Sequence, residues 1–284
     1  MIFFYTSDLH GDTNFYRELI SICSDRKVDY LILGGDLLPR KGHNNKSITE
    51  QKKFIHDFLG KTFKKIKQIN SITIYAVFGN NDWEAVFEDF KVLEKDSLVN
   101  ILHNKYFEIR DNLLITGYPY VPPTRFSPKD FEKKDLNAHQ AANLTTFPVI
   151  SESGHIKRIK ENKLFEKRTS IEEDLKEFIE YAENNPEKKI IYVMHSPPYG
   201  TMLDRLYNSQ PAGSKAIKAF IERIQPFMTL HGHIHESPVV SYKYWEKIGP
   251  TISVNPGQVG GFLSGVLFNI DDPEQTMYHI QYDK

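Results

Sequence analysis

The chain has 284 residues, 40% hydrophobic and 26% charged, with a formal net charge of −1. That balance offers no global attraction to nucleic acid or to an acidic membrane surface, and the lone cysteine, Cys23, excludes a disulfide framework within the chain. No run approaches the ~20 apolar residues of a membrane helix. The opening Met-Ile-Phe-Phe-Tyr-Thr-Ser-Asp has no basic region and only a short apolar stretch, so a cytoplasmic protein is expected.

In chain order, Ile2–Thr6 predicts a strand, Ser7-Asp8-Leu9-His10-Gly11-Asp12 a loop, and residues 13–23 a helix with Thr13 as N-cap. Tyr30–Leu33 predicts a second strand, followed by Gly34-Gly35-Asp36. Over residues 49–66, Phe54, Ile55, Phe58, Leu59, Phe63 and Ile66 repeat at helical spacing. A third strand at 73–78 closes in Gly79-Asn80-Asn81-Asp82, and residues 106–109 and 113–116 form a hairpin about Asp111-Asn112. Residues 119–169 open with prolines and show no sustained period, which predicts an insertion or cap on a single domain spanning 1–284. A helix follows at 170–184, with a Ser170…Glu173 capping box. The strand at 190–194 leads to His195, Ser214 caps a helix ending at Ile224, and the strand at 227–230 leads into His231-Gly232-His233-Ile234-His235. Apolar runs at 239–242, 251–254, 265–270 and 277–282 predict further strands without helices between them.

Strands separated by helices favour parallel pairing, and open α/β sheets bind ligands beyond the strands' C-terminal ends. The polar clusters stand there. Asp8, Asp36, His10, His195, His233, His235 and the Asn80 amide make a donor set suited to borderline divalent or trivalent metals. Manganese and iron come first, with zinc, cobalt and nickel also accepted. Strand alternation in Asp8-x-His10, and again in His233-x-His235, would turn both side chains of each pair toward one ion. Without thiolate clusters, a structural zinc knuckle is excluded.

Asp8-x-His10, Gly35-Asp36, Gly79-Asn80-x-Asp82, His195 and Gly232-His233-x-His235 resemble, in order, the motifs of the calcineurin-like metallophosphoesterase superfamily. Pro197-Pro198-Tyr199-Gly200 and Asn255-Pro256-Gly257 are similar to the predicted phosphoesterases called Icc-like. The resemblance implies an α/β (α+β) fold, a four-layer α/β/β/α sandwich with a dinuclear metal site at the strand C-terminal ends. It implies that Asp8, His10, Asp36 and His235 hold one ion and Asp36, Asn80, His195 and His233 the other, with Asp36 bridging. The activity implied is hydrolysis of a phosphodiester, phosphomonoester or nucleotide-type substrate by a hydroxide bridging the ions, with Asn81, Asp36 and His10 as the catalytic residues.

The chain departs from the family at Asn81, where most members carry histidine. An amide donates a hydrogen bond but delivers no proton, so Asn81 is expected to orient substrate and to leave alkoxide leaving groups poorly served. His43 is the nominee for supplying that proton by another route. Arg40 is a candidate for forking phosphate oxygens, or else a solvated loop arginine. Asp12 either orients the His10 ring or stands as an exposed charge at the helix start, and Asp82 is expected to cap a helix or support the ligands from behind. His231, His56, His103 and His279 are read as packing, while His139 and His155 lie in the insertion without motif context. The basic residues between Lys157 and Arg168 form either a solvated helix face or a lip steering phosphate-bearing substrates. The expected partner is a small phosphoester or nucleotide, with no membrane or nucleic acid and with oligomers allowed. A rival from another class is an interaction protein that keeps the fold without catalysis.

Overall fold

A computed structural model describes residues 1–40, 45–138 and 144–282. Its strands are β1 Ile2–Thr6, β2 Tyr30–Leu33, β3 Thr73–Ala76, β4 Asn100–Ile101, β5 Phe107–Arg110, β6 Leu113–Tyr118, β7 Val149–Glu152, β8 His155–Arg158, β9 Lys189–Met194, β10 Met228–Leu230, β11 Trp245–Ile248, β12 Thr251–Val254, β13 Val266–Asn269 and β14 Tyr278–His279. The helices are α1 Thr13–Asp25, α2 Asn45–Phe54, α3 Gly60–Asn70, α4 Phe87–Lys95, α5 Glu161–Lys167, α6 Ile171–Asn184, α7 Lys215–Ile224, α8 Ser237–Ser241 and α9 Pro273–Thr276. A π-helical turn, Ile55–Leu59, joins α2 to α3.

Two six-stranded sheets run in the orders β14-β13-β1-β2-β3-β4 and β11-β12-β10-β9-β6-β5. Side-chain alternation explains the layers. In β1, Phe3 and Tyr5 face the second sheet while Phe4 faces the helices. In β9, Ile191 and Val193 meet the first sheet, whereas Ile190, Tyr192 and Met194 pack with α6 and α7. The outer face of the first sheet carries residues of α1 to α4, completing α/β/β/α. Because both faces of the central strands are covered, they read as continuous apolar runs.

Register sets the site. β1, β2 and β3 are parallel, with Thr6 opposite Leu33 and Leu33 opposite Ala76, and in the second sheet Val193 of β9 stands opposite Leu230 of parallel β10. The loops bearing Asp8, Asp36, Asn80, His195 and His233 therefore leave the two sheets along one shared edge.

Several expectations change. Residues 239–242 belong largely to helix α8, where Pro238 sits in the first turn and supplies a preset helical φ. The N-cap of α1 is Asp12, whose carboxylate accepts from the Asn14 N–H, and not Thr13. Helix α4 and the short strands β4 and β11 lie outside the runs read from sequence, and short helices α8 and α9 interrupt the closing strands. Ser170 and Ser214 do cap α6 and α7, accepting from Glu173 and Ile217.

Residues 119–169 hold the antiparallel hairpin β7–β8 and helix α5. A buried ionic knot holds the segment together. The Lys129 ammonium, 0% exposed, lies 2.7 Å from Glu132 and 3.0 Å from Glu161 and donates to the Thr124 carbonyl. Glu132 in turn accepts from the Thr124 N–H and hydroxyl, and Glu161 from the N–H groups of Leu144 and Thr145. Arg168 donates to the carbonyls of Lys129, Asp130 and Glu132, while Lys157 lies on β8 and pairs with Glu152. The basic residues from Lys157 to Arg168 thus do not share one helix face.

Candidate metal centre

The ligand-bearing loops are turns, not strand ends. Asp8, His10, Asp36 and His233 have φ of 61°, 46°, 52° and 66°, a left-handed conformation that aspartate and histidine tolerate better than most residues. Strand alternation therefore does not align Asp8 with His10, because β1 has already ended at Thr6. The alignment comes from paired loops, in which Asp8 N–H donates to the Gly35 carbonyl and His10 N–H to the Asp36 carbonyl. A β-carbon on Gly79 would collide with Asp36 and His195, and one on Gly232 with Ser7 and Asp8. The glycine before Asn80 and the glycine before His233 are there for close approach.

Asp8, His10, Asp36 and His235 offer donor atoms that all lie within 4.8 Å of one another. His235 Nε2 is 3.2 Å from Asp8 Oδ1, and His10 Nε2 is 3.8 Å from Asp36 Oδ2. On the other side, His195 Nε2 is 3.6 Å from Asp36 Oδ1, and the His195 and His233 ring centroids are 5.4 Å apart. His195 Nδ1 meets the Gly34 carbonyl at 2.8 Å, which turns Nε2 inward. The His233 N–H donates to Asp8 Oδ2 and so ties the second sheet's loop to the first.

Electrostatics fits a cationic occupant. Burial opposes charge on Asp8, yet His235 and His195 hold its carboxyl at about 2. Burial likewise opposes charge on Asp36, and His195 and His10 hold it below the usual carboxylate range. Burial also opposes protonation of His195, but Asp36 beside it lifts the ring to about 9. Burial and the His195 charge push His233 down to about 3. Two adjacent buried carboxylates demand positive charge. The donor atoms Asp8 Oδ1, Asn80 Oδ1 and His195 Nε2 are buried without a hydrogen-bond partner among the described residues, as metal-facing atoms would be.

Asn81 lies against Asp36. Its backbone N–H donates to Asp36 Oδ1 at 2.7 Å and its amide to Asp36 Oδ2. One of the two amide hydrogens thus goes to a carboxylate, while Asn81 Oδ1 has no hydrogen-bond partner among the described residues and the residue lines a cavity with Arg40. Arg40 is exposed and stacks over Phe126. His43 and His139 lie outside the described residues.

Asp82 caps no helix. Its carboxylate accepts from the N–H groups of Leu37, Leu38 and Gly79, stitching the Asp36 and Asn80 loops together, and burial with the Asp36 charge raises it to about 7. Asp12 serves its helix and not the His10 ring.

His231 is buried between the Met194 and Ser196 carbonyls and the Thr229 hydroxyl, His103 accepts from the Phe78 N–H, His279 meets the Pro256 carbonyl, His56 meets Asp89, and His155 is exposed on β8. Two further residues hold the loops in place, Asn255 of the quoted Asn255-Pro256-Gly257 and Gln51, which the motif reading missed. Asn255 donates to the carbonyls of Leu203, Gly232 and Ile234, and Gln51 of α2 donates to those of Asn81 and Pro39. Gln51 leaves one signal, a polar residue placed one turn before the apolar face of its helix.

Comparison with known proteins agrees with this architecture. An uncharacterized protein of Methanocaldococcus jannaschii is 40% identical over 80 residues, an alignment spanning 27% of this chain and about a third (34%) of that relative. Among solved structures, one Thermus thermophilus protein superposes with a TM-score of 0.59 at 12% identity, covering 98% of this chain and 97% of that one. A candidate 5′-nucleotidase of Staphylococcus aureus gives 0.53 at 14% identity, covering 98% of this chain and 52% of that one. At such identities these likenesses show the fold alone. Among the described residues, no helix is long and apolar enough to cross a membrane. The model of the calcineurin-like phosphoesterase family matches residues 1–237, the stretch that carries every loop of the metal cluster, and the chain belongs to that family.

Proposed function

We propose that the chain is a dinuclear metal-dependent phosphoesterase. Asp8, His10, Asp36 and His235 would hold one ion, and Asp36, Asn80, His195 and His233 the other. The observation that carries this reading is the convergence of Asp8, His10, Asp36 and His235 donor atoms within 4.8 Å, with buried Asp8 Oδ1, Asn80 Oδ1 and His195 Nε2 beside them lacking a hydrogen bond. Ions held there would supply Lewis-acid charge to a phosphoryl group and lower the pKa of a water. The chain's own residues fix the Asp36 carboxylate through Asn81, orient His195 through the Gly34 carbonyl, and lock the loops through Asp82.

No proton donor stands at position 81, and general-acid help is worth about 10²–10⁴-fold. Esters with aryl leaving groups, activated diesters or anhydrides are therefore the expected substrates, with alkyl esters slow. The test is hydrolysis of bis(4-nitrophenyl) phosphate and of an alkyl phosphate by protein stripped with chelator and reloaded with manganese. Turnover of the aryl ester restored by metal supports the reading, and Asn81→His is expected to narrow the aryl-to-alkyl ratio by about tenfold or more. An unchanged ratio sinks the role given to Asn81. A fully loaded protein that turns over no ester favours an interaction protein instead.

A further inference from the structure

A cavity of about 330 Å³ opens beside Asn81, and its wall comes from two stretches of the 119–169 segment. Arg40 and Arg125 line it, and no carboxylate does. Two phenylalanines also line it with their rings in solvent, Phe126 at 54% and Phe147 at 43% exposed. Each carries a guanidinium on its face, Arg40 at 4.9 Å from the Phe126 ring and Arg158 at 4.7 Å from the Phe147 ring. A single exposed aromatic is unremarkable on a protein surface. Two in one cavity, each paired with arginine and next to the Asp36 partner Asn81, are a recognition chemistry for an anion joined to a planar ring.

The wall is built to hold its shape. The Ser127 hydroxyl donates to the Phe147 carbonyl at 2.6 Å, and the Thr145 hydroxyl donates to the Thr124 carbonyl at 3.1 Å. The two stretches are thereby tied to each other, the Lys129–Glu132–Glu161 knot holds them together from behind, and Asp130 joins the segment to the domain by accepting from the Glu84 N–H. A second cavity of about 550 Å³ lies across the same wall, sharing Arg125 and Phe126 and reaching His233.

We infer that the Arg40–Phe126–Phe147 cavity is the substrate-specificity pocket, taking the base of a nucleotide-type phosphoester between or upon the two rings while Arg40 and Arg125 take its phosphate oxygens. The inference rests on the phosphoesterase reading for the placement of the phosphate, but the pocket's preference for a planar ring is measurable without turnover. Phe126 and Phe147 lie outside the ligand motifs and line the cavity beside Asn81, where they would act on substrate choice.

The test is calorimetric binding of AMP and of ribose 5-phosphate to the manganese-loaded protein, since the two differ only in the base. Stacking is expected to make AMP the tighter ligand by about tenfold. In Phe126→Ala/Phe147→Ala the ratio of the two affinities is expected to fall toward one, and in Phe126→Tyr/Phe147→Tyr to persist. Both rings are exposed, and a thermal melt shows whether the alanine variant keeps its fold. Equal affinities in the wild type, or a ratio that survives both alanines, overturns the inference. Turnover of bis(4-nitrophenyl) phosphate is read in parallel. A base-dependent ratio without turnover keeps the pocket and sinks the phosphoesterase reading, whereas turnover with no ratio does the reverse.

Discussion

Asp36→Asn is expected to lower kcat/KM on an aryl phosphodiester by at least about 10³-fold, because charge supplied by bound ions is worth several kcal/mol at the transition state. Asp36 is the carboxylate that the proposed ligand sets share. Asp36 stands 3.8 Å from His10 on one side and 3.6 Å from His195 on the other. The amide is nearly isosteric with the carboxylate but carries no charge to share between two cations. Asp36 is 1% exposed, and in the metal-free protein its charge raises the carboxyl of Asp82. Removing that charge relieves the repulsion on Asp82 and lets the His195 ring go neutral, so the variant is expected to fold, as circular dichroism and a urea titration would show. Activity within tenfold of wild type would remove Asp36 from the centre of the site.

Lys129→Met carries the second large effect, on stability. Breaking a buried ion pair from one side costs about 3–5 kcal/mol, since the partner charge stays behind without compensation. Here two carboxylates are left, those of Glu132 and Glu161, both at 0% side-chain exposure. Burial already drives Glu132 up to about 7 against the opposing pull of the Lys129 ammonium. Its folded pKa lies above its ordinary 4.5, so the native state binds the extra proton and stability falls as pH rises through that window. Without Lys129 the deficit is expected to be larger at pH 8 than at pH 5.5. Urea midpoints of both proteins at the two pH values check this, and a deficit below about 1 kcal/mol at pH 8 would mean that the knot does not hold the segment together. Glu132→Gln and Glu161→Gln added to Lys129→Met are expected to recover part of the loss.

The strands that position the site were legible because helices or a facing sheet cover both their sides. Residues 2–5 and Tyr30–Leu33 read as unbroken apolar runs, and the strands read at Ile2–Thr6, Tyr30–Leu33 and Thr251–Val254 match β1, β2 and β12 residue for residue. The cluster of Asp8, His10, Asp36 and His235 was legible because each loop compresses its chemistry into two or three adjacent residues. What failed is where local pattern and local structure part. Val239, Val240 and Tyr242 look strand-like, yet Pro238 and the turn after His235 start a helix there. Asp8 and His10 converge through left-handed turns that alternation cannot describe. Residues 119–169 showed no period because long-range contacts hold them, with Lys129 reaching Glu161 and Arg168 reaching back to the carbonyls of Lys129 and Asp130. Gln51, Phe126 and Phe147 meet partners distant in sequence, so no motif marks them.

Elemental analysis of metal in protein purified without chelator is the most direct test of the central claim. The account predicts two ions per wild-type chain, and loss of both in Asp36→Asn with the fold intact, because that carboxylate serves both halves of the cluster. A wild-type chain with one ion or none, or an Asp36→Asn protein that keeps two, would contradict it.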